Sequence, residues 1–352
     1  QGQGCRVLPW PPSVRVESHS PIEAQRGRRC RQQKKNIDRH QKLAFGPSAL
    51  LAKSIPLSMR KYETMSSIRS VIIPAAGWGT RLLPASQSVP KELLPIYDRP
   101  AIEWVVEEAL ASGIERVIFI SARGKSSILD HFDRHPLLES ILQRSGHEAW
   151  AQRIADRNRS ADFIEIRQGE ALGLGHAVLC GEPCIQEEYF AVMLPDDLYL
   201  GEPPALGELI ALHEEKGGCV LGLHTVERQQ SRQYGMVAGE QISAHQWRLE
   251  DMVEKPQPEE SPSCQAITGR YLVHRSLFDI LRSQNRGALG EIQLTDGLRR
   301  LAQEGLFHGL VPRAARFDSG SALGLLIASL AQGLKSKDAA ALRHAIEELT
   351  SS

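Results

Sequence analysis

The chain has 352 residues, 41% of them apolar and 5% aromatic, and its 42 Lys and Arg balance its 42 Asp and Glu. That length holds one large or two medium domains with a real core, and no apolar run reaches the ~18 residues that a membrane span needs. Charge is uneven: residues 1–64 carry 13 basic and 4 acidic side chains, so the remainder is net acidic, which argues against a nucleic-acid surface on the body.

Residues 1–64 lack hydrophobic periodicity and contain the run Arg28-Arg29-Cys30-Arg31-Gln32-Gln33-Lys34-Lys35. Three readings fit: a basic disordered arm, a transit peptide, or an extension upstream of a start at Met65. Met65 stands five residues before the first strand and favours the third. The expected divisions are 1–64 as the basic extension, 65–335 as the body and 336–352 as a C-terminal helix.

From Ser70 the pattern becomes orderly. A strand over 70–76 runs into Gly77-Trp78-Gly79-Thr80-Arg81. Pro100 opens a helix with Ile102, Val105, Val106, Ala109 and Leu110 on one face, capped by Gly113. Arg116–Ser121 is a second apolar strand. A short helix over 126–132 and a single longer one over 137–155 follow. Phe163–Ile166 is a third strand, and it leads into a second glycine-rich loop, Gln168 to His176, that opens a helix. Tyr189–Leu194 is a fourth strand ending in Pro195-Asp196-Asp197. Next come a helix at 205–216, a strand at 219–225, short strands at 235–238 and 248–253, a strand at 267–273, a helical turn at 277–282 and a helix at 292–303. A late strand at 311–317 ends in Asp318-Ser319-Gly320, and helices at 321–333 and 338–349 close the chain.

This alternation predicts an α/β fold with a Rossmann-like, mostly parallel (mixed) sheet covered by helices on both faces. Ligands in such folds lie beyond the carboxyl ends of the strands. The chemically loaded segments 77–92, 168–176, 196–197, 254–255 and 318 all fall at that edge.

The first of these segments reads as a triphosphate loop. Glycines let backbone N–H groups approach an anion, and Arg81 and Lys91 add cations for phosphate oxygens. It is neither a G-x-x-x-x-G-K-[ST] loop nor a dinucleotide fingerprint, because Leu82 stands where the latter needs a third glycine. Asp196, at a strand end, is placed to hold a divalent metal, or else serves as a turn or capping residue. Asp197 points the other way along the strand, which leaves Asp318 as the second candidate ligand. Glu254 offers acceptors to sugar hydroxyls and Lys255 a partner for a sugar phosphate; the plain alternative is an exposed ion pair in a turn. Gln168 presents a donor and an acceptor to a base edge, and Gly173 and Gly175 admit a flat ring or simply form a loop. His176 could serve as a ligand but reads rather as a structural or capping histidine. No Ser/His/Asp order or activated cysteine supports covalent catalysis. The six cysteines form no Cys-x-x-Cys pair and read as reduced thiols of a cytoplasmic protein.

Taken together, Gly-Trp-Gly-Thr-Arg-Leu-Leu-Pro, Pro-Lys-Glu-Leu-Leu-Pro, Arg-Gln-Gly-Glu-Ala-Leu-Gly-Leu-Gly-His-Ala-Val, Leu-Pro-Asp-Asp, Val-Glu-Lys-Pro, Thr-Gly-Arg-Tyr and Gly-Glu-Ile-Gln-Leu-Thr-Asp run in order from about residue 68 to about 333. In this the chain resembles the sugar-1-phosphate nucleotidyltransferases, in their bacterial uridylyl-transferring branch. The resemblance implies a single nucleotidyltransferase domain that joins UTP to glucose 1-phosphate, releasing UDP-glucose and pyrophosphate by in-line attack without a covalent intermediate. It implies Mg²⁺ on Asp196, with Asp318 beside it, and charge neutralisation by Arg81, Lys91 and Lys255. By motif, Ala76, Gly77, Glu92, Gln168 and Gly173 contact the nucleotide, with Gly79 and Thr80 in the same loop. Gly235, Glu254, Lys255 and Gly269 line the sugar-phosphate site. Neither a nucleic acid nor a membrane is an expected partner; a homo-oligomer is. Two positions depart from the pattern, since Gln87 and Ala322 stand where a lysine is common. A paralogue using another nucleotide or sugar phosphate, and a non-catalytic sugar-nucleotide sensor, are the competing readings.

Overall fold

The computed structural model describes residues 68–284 and 290–351. The expectations for residues 1–64 lie outside them. The strands are β1 (Ser70–Pro74), β2 (Pro95–Ile96), β3 (Arg99–Pro100), β4 (Arg116–Ser121), β5 (Asp162–Arg167), β6 (Tyr189–Met193), β7 (Asp197–Leu200), β8 (Cys219–Thr225), β9 (Gly235–Gln241), β10 (Gln246–Glu254), β11 (Gln265–His274), β12 (Phe307–Leu310) and β13 (Ala315–Asp318). The helices are α1 (Ala101–Ala111), α2 (Ser127–Asp130), α3 (Pro136–Arg144), α4 (Glu148–Arg157), α5 (Leu174–Cys180), α6 (Ala205–Lys216), α7 (Leu277–Ser283), α8 (Leu294–Ala302), α9 (Ala322–Gly333) and α10 (Ala339–Ser351). None of the described helices is long and apolar enough to cross a membrane.

Nine strands form one mixed sheet in the order β5-β4-β1-β6-β11-β8-β12-β10-β9. Parallel pairing joins β5, β4, β1 and β6, and again β8 and β12, while β11 runs antiparallel between β6 and β8. Side chains alternate across a strand, so β1 feeds both layers. Val71 and Ile73 pack with Ile102, Val105 and Val106 of α1 and Leu206, Leu209 and Ile210 of α6. Ile72 joins the opposite layer with Val178 of α5, Leu277 and Leu281 of α7 and Leu294 and Leu298 of α8. Both faces of this half of the sheet are therefore covered, as a parallel sheet requires.

Three expectations need correction. The helix expected over 137–155 is two helices, because Gly146 takes a left-handed conformation (φ +77°) that ends the first. Leu137, Ile141 and Trp150 stay exposed, while α4 buries Ala151 and Ala155 and is tied to α1 by charge. Arg157 Nη1 meets Glu103 Oε2 of α1 at 2.9 Å, and Arg153 Nη2 meets Glu107 Oε1 at 3.0 Å. The late strand expected at 311–317 begins only at Ala315, as β13, and a further strand, β12, precedes it across Pro312, which has no N–H for a ladder. β12 joins the main sheet, while β13 pairs antiparallel with β7 outside it and sets Asp318 opposite Asp197. The short strands at 235–238 and 248–253 are the limbs of one longer hairpin, β9–β10, with an irregularity between Leu249 and Asp251.

Under the carboxyl edge lies a buried ion pair. Arg270 on β11 is 0% exposed. Its Nε and Nη2 donate to Glu108 Oε1 and Oε2 of α1 at 2.9 and 2.6 Å, and its Nη1 donates to the carbonyls of Gly269 and Leu194. Glu108 Oε1 also accepts the N–H of Leu206 at the start of α6. One guanidinium thus ties α1, β11, α6 and the end of β6. Arg270→Met leaves Glu108 charged and unpaired in the core and is expected to cost about 3–5 kcal/mol in urea unfolding. Arg270→Met with Glu108→Leu, which removes both charges, should recover most of that loss.

Candidate functional site

Beyond β1 the chain crosses the sheet edge as residues 75–82, and its carbonyls are held from beneath. Lys125 Nζ donates to the carbonyls of Ala75 at 2.7 Å and Gly77 at 2.6 Å. The carbonyl of Gly79 accepts Ser86 Oγ at 2.7 Å and the Leu82 N–H at 2.9 Å. The consecutive N–H groups of Gly77, Trp78, Gly79, Thr80 and Arg81 donate to no acceptor among the described residues. A run of free amides above tethered carbonyls is an anion-binding concavity. Gly79 sits at φ +68°, and a Cβ there would stand 3.0 Å from Lys91 Cβ, so both conformation and space call for glycine. Ala76, Gly77, Gly79 and Thr80 therefore share one loop, and Trp78 is 74% exposed upon it.

Glu92 is not on the open side of this loop. It is 2% exposed, and its oxygens accept from Lys125 Nζ at 3.0 and 3.2 Å. Burial pushes its carboxyl up, opposed by Lys125 and Lys91; burial pushes the Lys125 ammonium down, opposed by Glu92. Lys125 was not among the candidates from sequence. The signal that could have found it is a lysine directly after Gly124, in the turn that follows β4.

The next residues meet at the end of β6. Lys91 Nζ lies 2.5 Å from Asp196 Oδ2, and Arg81 Nη2 lies 3.8 Å from the same oxygen. Burial alone would push the Asp196 carboxyl up, but Lys91 and then Arg81 outweigh it and hold it below the usual carboxylate range. Ser319 donates its N–H and Oγ to the Asp196 carbonyl at 2.8 and 3.0 Å, which seats the Asp318 turn beside it. Asp318 Oδ1 accepts the Gly320 N–H at 2.9 Å. A Cβ on Gly320 would stand 2.8 Å from Arg81 Nη2, so the guanidinium lies against this turn. Asp197 turns away, as the strand period predicts. It takes Arg316 Nε at 2.7 Å on Oδ1, and Arg316 Nη2 at 3.0 Å and the Gly269 N–H at 2.7 Å on Oδ2. Among the described residues no three His, Cys, Asp or Glu side chains cluster as a metal cage. Two hard carboxylates at adjoining strand ends, one of them held ionised, suit a cation that completes its shell with phosphate and water oxygens, as Mg²⁺ does.

The second glycine loop has a packing cause of its own. Gly173 (φ +94°) and Gly175 both face the backbone of Ile292, where a Cβ would come within 2.9 and 2.8 Å of its carbonyl oxygen. Gly175 N–H donates to that carbonyl at 2.9 Å, and the Ile292 N–H donates to the carbonyl of Leu172 at 2.8 Å. Gln168 Nε2 reaches the Gly173 carbonyl at 3.2 Å and His176 Nδ1 at 2.9 Å. His176 is thus hydrogen-bonded to Gln168 within the same loop. The close approach expected for a ligand ring is made by the protein's own chain at these two glycines.

The fourth cluster gathers Gly235 and Glu254, which face each other across β9 and β10. Glu254 Oε2 accepts Thr295 Oγ1 at 2.6 Å, and its Oε1 lies 3.2 Å from Lys255 Nζ. A Cβ on Gly235 would meet Thr295 Oγ1 at 3.0 Å. Lys255 adopts φ +45°, a left-handed conformation that a non-glycine residue holds only at a cost of about 1–3 kcal/mol. Its N–H is fixed on the Tyr234 carbonyl at 3.0 Å, and its side chain is 55% exposed. Gly269 belongs to the floor: a Cβ there would lie 2.7 Å from Asp197 Cβ. The ion pair read as the plain alternative is therefore present, on a strained backbone.

Comparison with known proteins gives a consistent picture. The sequence model of the family described as Nucleotidyl transferase matches residues 70–330. The chain is 44% identical over 267 residues to the UTP–glucose-1-phosphate uridylyltransferase YngB of Bacillus subtilis, covering 76% of this chain and 90% of that protein. It is 39% identical over 264 residues to the UTP–glucose-1-phosphate uridylyltransferase of Pseudomonas aeruginosa, covering 74% and 95%. Among solved structures it is similar to a UDP-glucose pyrophosphorylase from Acinetobacter baumannii, with TM-score 0.74 and 34% identity over 80% of this chain and 99% of that one. A UDP-glucose pyrophosphorylase complexed with UDP-glucose aligns with TM-score 0.69 and 35% identity over 76% and 100%.

The Lys91–Asp196 pair has a pH signature. Its stabilisation is full above the ordinary carboxylate pKa and is lost as pH falls through the depressed value of the folded state. Lys91→Met leaves burial opposed only by Arg81 and a backbone hydrogen bond. Carboxyl ¹³C titration should then show the Asp196 pKa moving up, and the acid limb of the stability profile should flatten in that window.

Proposed function

The chain belongs to the nucleotidyl transferase family, and on that premise we propose that it transfers the uridylyl group of UTP to glucose 1-phosphate, giving UDP-glucose and pyrophosphate. One observation carries the reading: five free backbone amides, Arg81, Lys91 and Asp196 meet at one sheet edge. A triphosphate needs such convergence, and a lone ion pair or turn does not explain it. A phosphate oxygen of glucose 1-phosphate attacks the α-phosphorus of UTP, and the bond from that phosphorus to the β-bridging oxygen breaks. The chain's part is positioning and charge neutralisation, which supply most of the catalysis in such transfers.

In this reading Ala76, Gly77, Gly79 and Thr80 cradle the triphosphate, and Arg81 and Lys91 neutralise charge on the leaving pyrophosphate. Gln168 faces the base beside Gly173. Glu254 accepts from sugar hydroxyls, Lys255 pairs with the sugar phosphate, and Gly235 and Gly269 line that side. Asp196 and Asp318 would hold the divalent cation. Mg²⁺ there supplies Lewis-acid withdrawal of charge from the phosphoryl oxygens. Glu92 serves the nucleotide from below, through Lys125. The described cysteines Cys180, Cys184, Cys219 and Cys264 are free thiols, in keeping with a cytoplasmic setting.

The reading includes a homo-oligomer. Residues 322–334, which hold α9, contain no charged side chain, and Leu323, Leu326 and Ile327 are exposed on that helix. α10 carries exposed Arg343 and Glu347 one turn apart, a pair that complements itself across a twofold axis. Light scattering should give a mass of two or more chains, and Leu326→Glu should lower it to one.

The activity is tested by pyrophosphate release with glucose 1-phosphate and each of UTP, dTTP, CTP and GTP. UTP should be preferred, and Asp196→Ala and Lys255→Ala should each depress turnover by about 100-fold or more. Equal rates across the panel would move the specificity elsewhere, and UDP-glucose binding without turnover would make the chain a sensor.

A further inference from the structure

We propose that Lys125 is a positioning residue for the phosphate loop: its ammonium holds the carbonyls of Ala75 and Gly77 on the inner side and so turns the amides outward. The inference rests on the triphosphate reading above and deepens it.

The ammonium has three N–H donors and no acceptor. All three are matched: one to the Ala75 carbonyl at 2.7 Å, one to the Gly77 carbonyl at 2.6 Å and one to the Glu92 carboxylate at 3.0 Å. Lys125 is 8% exposed and Glu92 2%. Lys125 has no donor to spare for a substrate, and Glu92 is sealed off by burial, so direct contact does not explain them.

A peptide unit is planar and trans, so the C=O of one residue and the N–H of the next point in opposite directions. Drawing the Ala75 carbonyl inward sends the Ala76 N–H outward. Drawing the Gly77 carbonyl inward sends the Trp78 N–H outward. Ser86 does the same service at Gly79 for the Thr80 N–H. Lys125 comes from the turn after β4, and β4 pairs in parallel with β1, so the sheet itself carries the lysine under the loop. A lysine used only to neutralise Glu92 would have no need of the two carbonyls. An apolar pair of similar size would stabilise the core about as well as a buried ion pair does. The charge is retained here at a place where backbone oxygens must be held.

The test compares the wild-type chain, Lys125→Met, and the double variant Lys125→Met with Glu92→Leu. The double variant removes both buried charges and keeps the proposal testable should Lys125→Met fail to fold. Equilibrium dialysis with tripolyphosphate and with UTP, each with Mg²⁺, reads the loop; thermal unfolding reads the fold. The double variant should unfold within a few degrees of wild type and bind both ligands at least 30-fold more weakly. Its KM for the nucleotide should rise far more than its KM for glucose 1-phosphate. Near-wild-type tripolyphosphate affinity in a folded double variant overturns the proposal. Wild-type binding of tripolyphosphate with no preference for UTP would fault the uridylyl reading and leave the Lys125 comparison standing. Binding of neither ligand by wild type would remove both.

Discussion

The geometry at the edge of the sheet depends on how the backbone carbonyls just past β1 are satisfied. A strand that ends at a ligand site loses its ladder partners there, and each carbonyl must find a donor or face water. Here the donors are a buried ammonium and a serine hydroxyl, both beneath the loop. Peptide planarity converts that inner satisfaction into an outer row of amides. The carboxylate of Glu92 opposes the downward push of burial on the ammonium, so the Pro-Lys-Glu segment and the glycine loop act as one unit. Gly79 completes it, since any side chain there would meet Lys91.

The same edge uses two adjacent aspartates for different work. Asp197 is bound by Arg316 and by the Gly269 amide, which fixes β7 against β13 and β11. Asp196 is left to face Lys91 and Arg81. Because the two side chains point to opposite sides of one backbone, rigid anchoring of Asp197 also sets the position of Asp196. The Ser319 bonds to the Asp196 carbonyl add a second constraint and bring Asp318 to the same place. Arg270 with Glu108 forms the layer below, tying the end of β6 to two helices.

What could be read from the amino-acid order follows from this arrangement. The parallel strands β1, β4, β5 and β6 were legible because each is a short apolar run ending in polar, charged or glycine residues. The supporting ions were not. Lys125 acts on backbone carbonyls fifty residues away, and Arg270 sits inside an apolar strand, where neither period nor spacing marks its partner. Helix breaks were also hidden: the apolar residues of 137–155 fit one helical stripe, yet they stay largely exposed, and Gly146 rather than the stripe decides the structure. β7 escaped because it pairs only with β13, outside the main sheet, where four residues carry too little pattern.

The glycines differ in why they must be small. Gly77 has open space around its missing Cβ, as a residue kept small for a ligand should. Gly173 and Gly175 have the Ile292 carbonyl there instead, so their smallness is already required by the fold. A substitution at Gly173 or Gly175 would therefore disturb packing before it disturbed any ligand, while one at Gly77 would act on the anion site first. Lys255 is the converse case. It is not a glycine, yet it holds a left-handed backbone at the end of β10 with its side chain in solvent. Nothing in the local packing requires a lysine there, since Glu254 already has Thr295 as a partner. The strained backbone presents an exposed cation at the sheet edge, which is the placement that the proposed pairing with a sugar phosphate calls for.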